Sequence, residues 1–200
     1  MSRFPAVPVE QLFHEARTFS RWTDRAVDDA TLASIHEWLR WGPTSANCCP
    51  LRIVFVKGAA AKARLLPCMD AGNVEKTRTA PVTAILAMDM AFHEQLPRLY
   101  PHADARSWFA GDPRKIADTA FRNSSLQAGY FVMAARAHGL DCGPMSGFDA
   151  ARVDAEFLAG TTWRSNFLCN LGHGDRGALH PRGPRLDFAD ACRAALALRS

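Results

Sequence analysis

The chain has 200 residues, 48% of them apolar and 22% charged, with a formal net charge of +4. That is ordinary globular material for one domain or a compact dimer subunit. No apolar run reaches the roughly 18 residues a membrane span needs. Met1–Pro5 lacks the apolar segment of a secretory signal, so a cytoplasmic setting is expected. The six cysteines, Cys48, Cys49, Cys68, Cys142, Cys169 and Cys192, form no C-x-x-C pair. They read as reduced packing residues, with no metal site. The cations are mostly arginine. Arginine suits phosphate recognition, but codon bias accounts for the excess equally simply. No basic run marks a nucleic-acid footprint.

Taken in chain order, Val9, Leu12, Phe13 and Ala16 follow helical spacing. Asp28 or Asp29 caps a second helix, whose apolar face is Leu32, Ile35, Trp38 and Leu39 and which Gly42-Pro43 ends. Leu51–Val56 reads as a buried strand closed by Gly58. Residues 59–69 look helical. Pro81 opens a second strand over Val82–Met88. Residues 89–112 are broken by Pro97, Pro101 and Gly111 yet rich in aromatics. Such a loop-rich insertion is either a lid or partner-facing surface, or a satellite hydrophobic cluster.

Pro113 stands at a first-turn position and opens a long helix to about His138. A turn built from Gly143-Pro144-Met145-Ser146-Gly147 follows, then a helix over Asp149–Ala159 and a third strand over Asn166–Leu171. A terminal helix is expected over Phe188–Leu198. Helices outnumber strands, and the strands lie far apart in sequence. This predicts a single α+β domain spanning residues 1–200, with helices packed on a small mixed or antiparallel sheet.

The chemistry is read partly by elimination. No G-x-S-x-G elbow, H-E-x-x-H or paired carboxylates stand out, and no G-x-G-x-x-G follows a strand. Cys48 or Cys49 is a weak candidate nucleophile. His173, between two glycines at a strand end, is the one histidine that draws notice. What remains fits chemistry borne by a cofactor rather than a side chain. Arg17, Thr18 and Arg182 supply cations and a hydroxyl for a phosphate. Asn47 and Asn73 supply amides for a heterocycle edge. Residues 143–147 supply a backbone that approaches closely.

These blocks carry a resemblance. Arg17-Thr18-Phe19-Ser20-Arg21-Trp22, Trp41–Pro50, Gly72-Asn73 with Ala80-Pro81-Val82, Gly139–Asp149 and Arg182-Gly183-Pro184 resemble, in order, motifs of the flavin-dependent nitroreductase family. Pro101–Phe109, Thr119–Ser125 and Gly143–Gly147 are similar to the branch that holds the malonic semialdehyde reductases of pyrimidine breakdown. The resemblance implies an intertwined homodimer with FMN at its interface and NADH or NADPH as co-substrate. It implies FMN contacts from Arg17, Thr18, Ser45, Asn47, Asn73, Pro144, Met145, Ser146, Gly147 and Arg182. Backbone N–H groups of Ser146 or Gly147 would point at flavin N5, with no dedicated catalytic side chain. The implied partners are a second copy and small molecules, not nucleic acid or membrane. Three positions depart from the family pattern: Ser20 where a second arginine is common, Cys49 where a glutamine is common, and Ser146 where many relatives have glutamate.

Overall fold

A computed structural model of the chain describes residues 6–194. Met1–Pro5 and the part of the expected terminal helix beyond residue 194 lie outside the described residues. The helices are α1 (Val9–Leu12), α2 (Asp29–Leu39), α3 (Gly58–Leu65), α4 (Ala71–Thr79), α5 (Leu96–Leu99), α6 (Pro113–Ala137), α7 (Ala150–Phe157) and α8 (Phe188–Ala191). The strands are β1 (Leu51–Lys57), β2 (Val82–Asp89), β3 (Asp141–Met145) and β4 (Trp163–Gly172). They form one antiparallel sheet in the order β1-β2-β4-β3.

Two expectations are corrected here. Gly143–Met145 is not a loop but the end of a fourth strand. Pro144 is tolerated because β3 is an edge strand, where a missing N–H costs no ladder bond. The terminal helix stops at Ala191, and Cys192 is already extended. Of the two candidates for capping α2, Asp28 is the cap, its carboxylate accepting from Thr31 N at 2.7 Å; Asp112 caps α6, accepting from Lys115 N at 2.9 Å.

Strand periodicity divides the core in two. Val82, Ala84 and Leu86 of β2, with Cys169 and Leu171 of β4, face α2 and α6 and pack on Leu32, Ile35, Phe131 and Ala135. Ile85 and Leu168 face the other way, towards Leu65, Met69 and Val153. Residues 89–112 form short helical turns. Phe92, Leu96, Ala105 and Phe109 are buried there against Cys48 and Ala120. Phe92 and Phe109 thus belong to a satellite cluster over the start of α6, while Trp108 stays exposed.

The second face carries a buried polar row. Thr83 and Asn170 are direct cross-strand partners, and Gly143 lies opposite Asn170 on β3. Lys62 of α3, 6% exposed, donates to Thr77 O at 2.8 Å and to Thr83 Oγ1 at 2.5 Å. Thr83 donates on to Asn170 Oδ1 at 2.6 Å. Burial disfavours the ammonium and pulls Lys62 down to about 8. The unfolded chain keeps this group protonated up to its ordinary 10.5. Between those values the unfolded state binds the extra proton, so stability rises with pH across that window. Below about 8 both states are charged and the desolvation cost stands in full, about 3 kcal/mol over the whole span. Denaturant unfolding at pH 7.5 and 9.5 should therefore show the native protein gaining stability relative to Lys62→Met as pH rises. A pH-independent difference between the two proteins counts against this account.

Candidate functional site

The row reaches the floor of a cleft at Asn170, which is itself buried. Thr18, Phe19, Ser20, Asn73, Lys76, Gly143, Pro144, Met145 and Asn170 line a space of about 210 Å³. On the other side of Pro144 and Met145 lies a second hollow, bounded by Phe121, Ser125, Ser146, Asn166 and Phe167. A sheet irregularity aims Asn166 there. The β2–β4 register skips it between Leu86 and Ala87. Its amide instead donates to Ser124 and Ser125 Oγ at 3.0 and 2.9 Å.

Each wall of the cleft has a local cause. The segment before Phe19 runs beside β3 through a Thr18–Cys142 bridge, and Phe19 N donates to Cys142 O at 3.2 Å. That approach needs Gly143: a Cβ there would lie 2.6 Å from Phe19 O. Asn73 and Lys76 stand one turn apart on α4. Lys76 Nζ donates to Asn73 Oδ1 at 3.2 Å, and Asn73 Nδ2 donates to Gly147 O at 2.9 Å. Gly147 is as tightly placed, since a Cβ would meet Asn73 Nδ2 at 2.5 Å. The close approach expected at these glycines is therefore made, in part, by the protein's own chain. The turn's internal bonds use the carbonyls of Ser146 and Gly147 rather than their N–H groups.

The predicted residues fall into three groups. Thr18, Asn73, Pro144, Met145, Ser146 and Gly147 come together along the cleft and the hollow behind it. Arg17 and Arg182 tie the two ends of the chain to each other. Arg17 donates to His180 O, and Arg182 to the carbonyls of His14 and Ala16. Each spends one terminal nitrogen on these bonds.

Ser45 and Asn47 stay apart from the cleft. Ser45 N donates to Asn123 Oδ1 at 2.9 Å, and Asn47 Nδ2 to Leu99 O at 2.9 Å. Their loop holds three non-glycine residues at positive φ: Ala46, Asn47 and Cys49. Such conformations persist only where surrounding contacts impose them. Here Asn123 fixes one side, and Tyr130 Oη, donating to Pro43 O at 3.1 Å, fixes the other.

Other candidates lose ground. Cys48 is buried, and desolvation pushes its thiol up to about 11, so it is no nucleophile at neutral pH. His173 is pulled below the usual histidine range by burial and by Arg25, and it lines neither the cleft nor the hollow. Two cleft residues escaped the sequence reading, Lys76 and Asn170. Lys76 was hidden because α4 buries only Thr77 and shows no apolar stripe. The Asn73-x-x-Lys76 spacing was the available signal. Asn170 sits inside an apolar strand run and announces itself only through its neighbours.

The fold and the cleft define an α+β protein with a flat-walled, donor-lined slot at a sheet edge. The nitroreductase family model matches residues 15–173, and the chain belongs to that family. A Ralstonia nicotianae protein is 60% identical over 185 residues, covering 92% of this chain and 95% of its own. A Burkholderia lata protein is 62% identical over the same length and coverage. Both carry the provisional name NADH dehydrogenase/NAD(P)H nitroreductase. Among solved structures, a nitroreductase-like protein from Exiguobacterium sibiricum, crystallised with FMN, superposes with a TM-score of 0.83 at 18% identity. That match covers 97% of this chain and 100% of the other.

The tight packing at Gly143 yields a direct test. Gly143→Ala should cost about 1–3 kcal/mol by overpacking against Phe19 O. Gly129→Ala, with nothing within 4 Å of the added methyl on α6, should gain stability, up to about 1 kcal/mol. Urea denaturation of both variants reads the contrast. Equal effects at the two sites would mean that the Phe19 segment does not pack as described.

Proposed function

We propose that the protein is an FMN-dependent NAD(P)H oxidoreductase, acting as a homodimer in the cytoplasm. The observation that carries this reading is the slot itself. It offers a cation at Lys76, hydroxyls at Thr18 and Ser20, an amide at Asn73 and a flat wall of Pro144 and Met145. Two turn N–H groups, those of Ser146 and Gly147, stand beside it without an acceptor in the turn. That donor set suits a phosphorylated planar heterocycle. Family membership and the FMN-bound neighbour support the same assignment.

When bound, FMN accepts a hydride from reduced nicotinamide and passes reducing equivalents to a second substrate in a ping-pong cycle. The chain's residues bind and orient. Arg17, Arg182 and Lys76 serve the phosphate, and the remaining guanidinium donors stay available for it. Asn73, locked by Lys76 and Gly147, presents its amide in one orientation. Pro144 and Met145 would bear on the ring, and the Ser146 and Gly147 N–H groups would serve its reactive edge. Stacking supplies the proximity that hydride transfer needs. Arg106, a candidate to stabilise a product alkoxide, is already forked onto Glu94 at 2.7 and 3.0 Å. Arg122, exposed on α6, is the freer cation.

A cleft of about 210 Å³ is smaller than the 300–1,000 Å³ of typical small-molecule sites. One chain therefore encloses only part of the cofactor. A second copy completes the enclosure and brings Ser45 and Asn47 to it. Exposed Trp41, Phe13, Val9, Leu186 and Phe188 supply apolar surface for that contact. The outer part of the segment 89–112, with exposed Trp108, serves as a lid on the acceptor side while its inner aromatics stay in their cluster. Six free cysteines accord with a reducing compartment. Among the described residues no helix is long and apolar enough to cross a membrane.

The motif resemblance favours malonic semialdehyde, reduced to 3-hydroxypropionate, as the acceptor. A second reading, a broad nitroaromatic or quinone reductase, is favoured by Phe121 and Phe167 on the outer hollow. The purified protein should sediment as a dimer, show a flavin spectrum and bleach anaerobically with NADH or NADPH. Folded protein that takes up no FMN would end the proposal. A flavin that reduced nicotinamide leaves oxidised indicates a binding protein instead. Turnover on 3-oxopropanoate at least tenfold above a nitrofuran selects the first acceptor; the reverse ratio selects the second.

A further inference from the structure

We propose that Lys62 is a positioning residue for the cleft. Through Thr83 it holds the Asn170 amide with its nitrogen towards the cleft, and its charge lies behind the ring-bearing wall. The consequence is a tighter hold on the reduced, more negative form of a bound flavin than on the oxidised form. This inference rests on the FMN reading above.

The direction of the chain of bonds follows from proton bookkeeping. A lysine ammonium has three donors and no acceptor. It gives one to Thr77 O and one to Thr83 Oγ1. Thr83 has a single hydroxyl proton. With its oxygen already accepting from Lys62, that proton goes to Asn170 Oδ1. The Asn170 nitrogen is thereby turned the other way. One of its protons meets Lys76 O at 3.1 Å, and the other side approaches Met145 Sδ at 3.9 Å on the cleft wall. A neutral amine at position 62 carries a lone pair. Thr83 can then donate backwards to it, and the constraint on the Asn170 amide is lost.

The charge has no local counter-ion. Among the described residues no carboxylate pairs with Lys62: Asp70, before α4, stands beside Gly147, Asp149 accepts from Arg152 N, and the others on the surrounding elements are engaged elsewhere. Glu75 of α4 pairs with Arg78, Glu156 of α7 with Arg64, and Asp89 of β2 with Arg52. Asp29 beside β1 pairs with Lys57, Asp154 of α7 accepts from Ser165 N, and Asp141 of β3 accepts from Gly174 N. Arg152 and Arg164 add positive charge on α7 and β4. Lys76 turns its own ammonium to Asn73. The Cys68 thiol near α3 is raised by burial and stays neutral. The Lys62 ammonium thus has no ion-pair partner among the described residues, and low polarisability in the interior makes its charge felt at the cleft. Its affinity for protons, lowered by burial to about 8, lets modest alkali switch the arrangement.

Two measurements test this. In flavin-free protein, the side-chain amide resonances of Asn170, followed by NMR from pH 6.5 to 9.5, should shift with a midpoint near 8. The shift should be absent in Lys62→Met and in Thr83→Val, and kept in Thr83→Ser. In flavin-loaded protein, dye-equilibrated potentials at pH 7 should show about tenfold preferential binding of reduced flavin lost in Lys62→Met, equal to about 30 mV. The difference should fade above pH 8.5. An Asn170 signal indifferent to pH overturns the proposal whether or not any variant folds. Potentials unchanged in a loaded Lys62→Met protein also overturn it, while leaving the FMN assignment intact. Failure of the native protein to bind FMN overturns that assignment instead, and with it the redox half of this inference.

Discussion

The contact between β3 and the segment carrying Phe19 organises most of what the site does. An edge strand with a glycine at position 143 admits a neighbouring backbone to van der Waals distance. That neighbour brings Thr18 and Ser20 to one rim of the cleft. The same missing side chain leaves Asn170, 1% exposed, at the floor of the cleft. α4 closes the opposite rim by fastening Asn73 to Gly147. A single small residue therefore lets one stretch of chain in and brings the floor of the cleft down to the buried polar row.

Polar satisfaction shapes the rest. A sheet face that buries Lys62, Thr83 and Asn170 would be costly if any of them lacked a partner. Here the donors and acceptors are matched from α3 through β2 to β4. The strand residues of the other face are apolar and carry α2 and α6, although α6 also buries Asn123, Ser124 and Gln127. Both faces hold core, and the polar row runs through the second. α6 joins two clusters, its first turns covering the 89–112 cluster and its later turns the main core.

Much of the architecture was legible in the sequence. The cap at Asp28, the long helix from Pro113 and the strands over Leu51–Val56, Val82–Met88 and Asn166–Leu171 all followed from periodicity and turn chemistry. β3 did not, because Gly143 and Pro144 are poor strand formers, and the pairing with β4 overrides their local preference. α4 did not, because a polar helix on the surface leaves no stripe to read. For the site, residue type alone pointed to Thr18, Asn73 and the 143–147 stretch. It missed Lys76 and Asn170, whose roles come from neighbours distant in sequence. It also grouped Ser45 and Asn47 with residues from which the single chain keeps them separate.

The loop holding Ser45 and Asn47 owes its shape to α6. Three left-handed residues without glycine store roughly 1–3 kcal/mol apiece, and the restraints that hold them come from Asn123 and Tyr130. Asn47 adds a further tie, to Leu99 O of α5. The identity of two helix side chains, neither of which lines the cleft, governs a surface that a second subunit would read. Changes in acceptor preference among relatives can then arise on α6 while every residue of the slot stays the same.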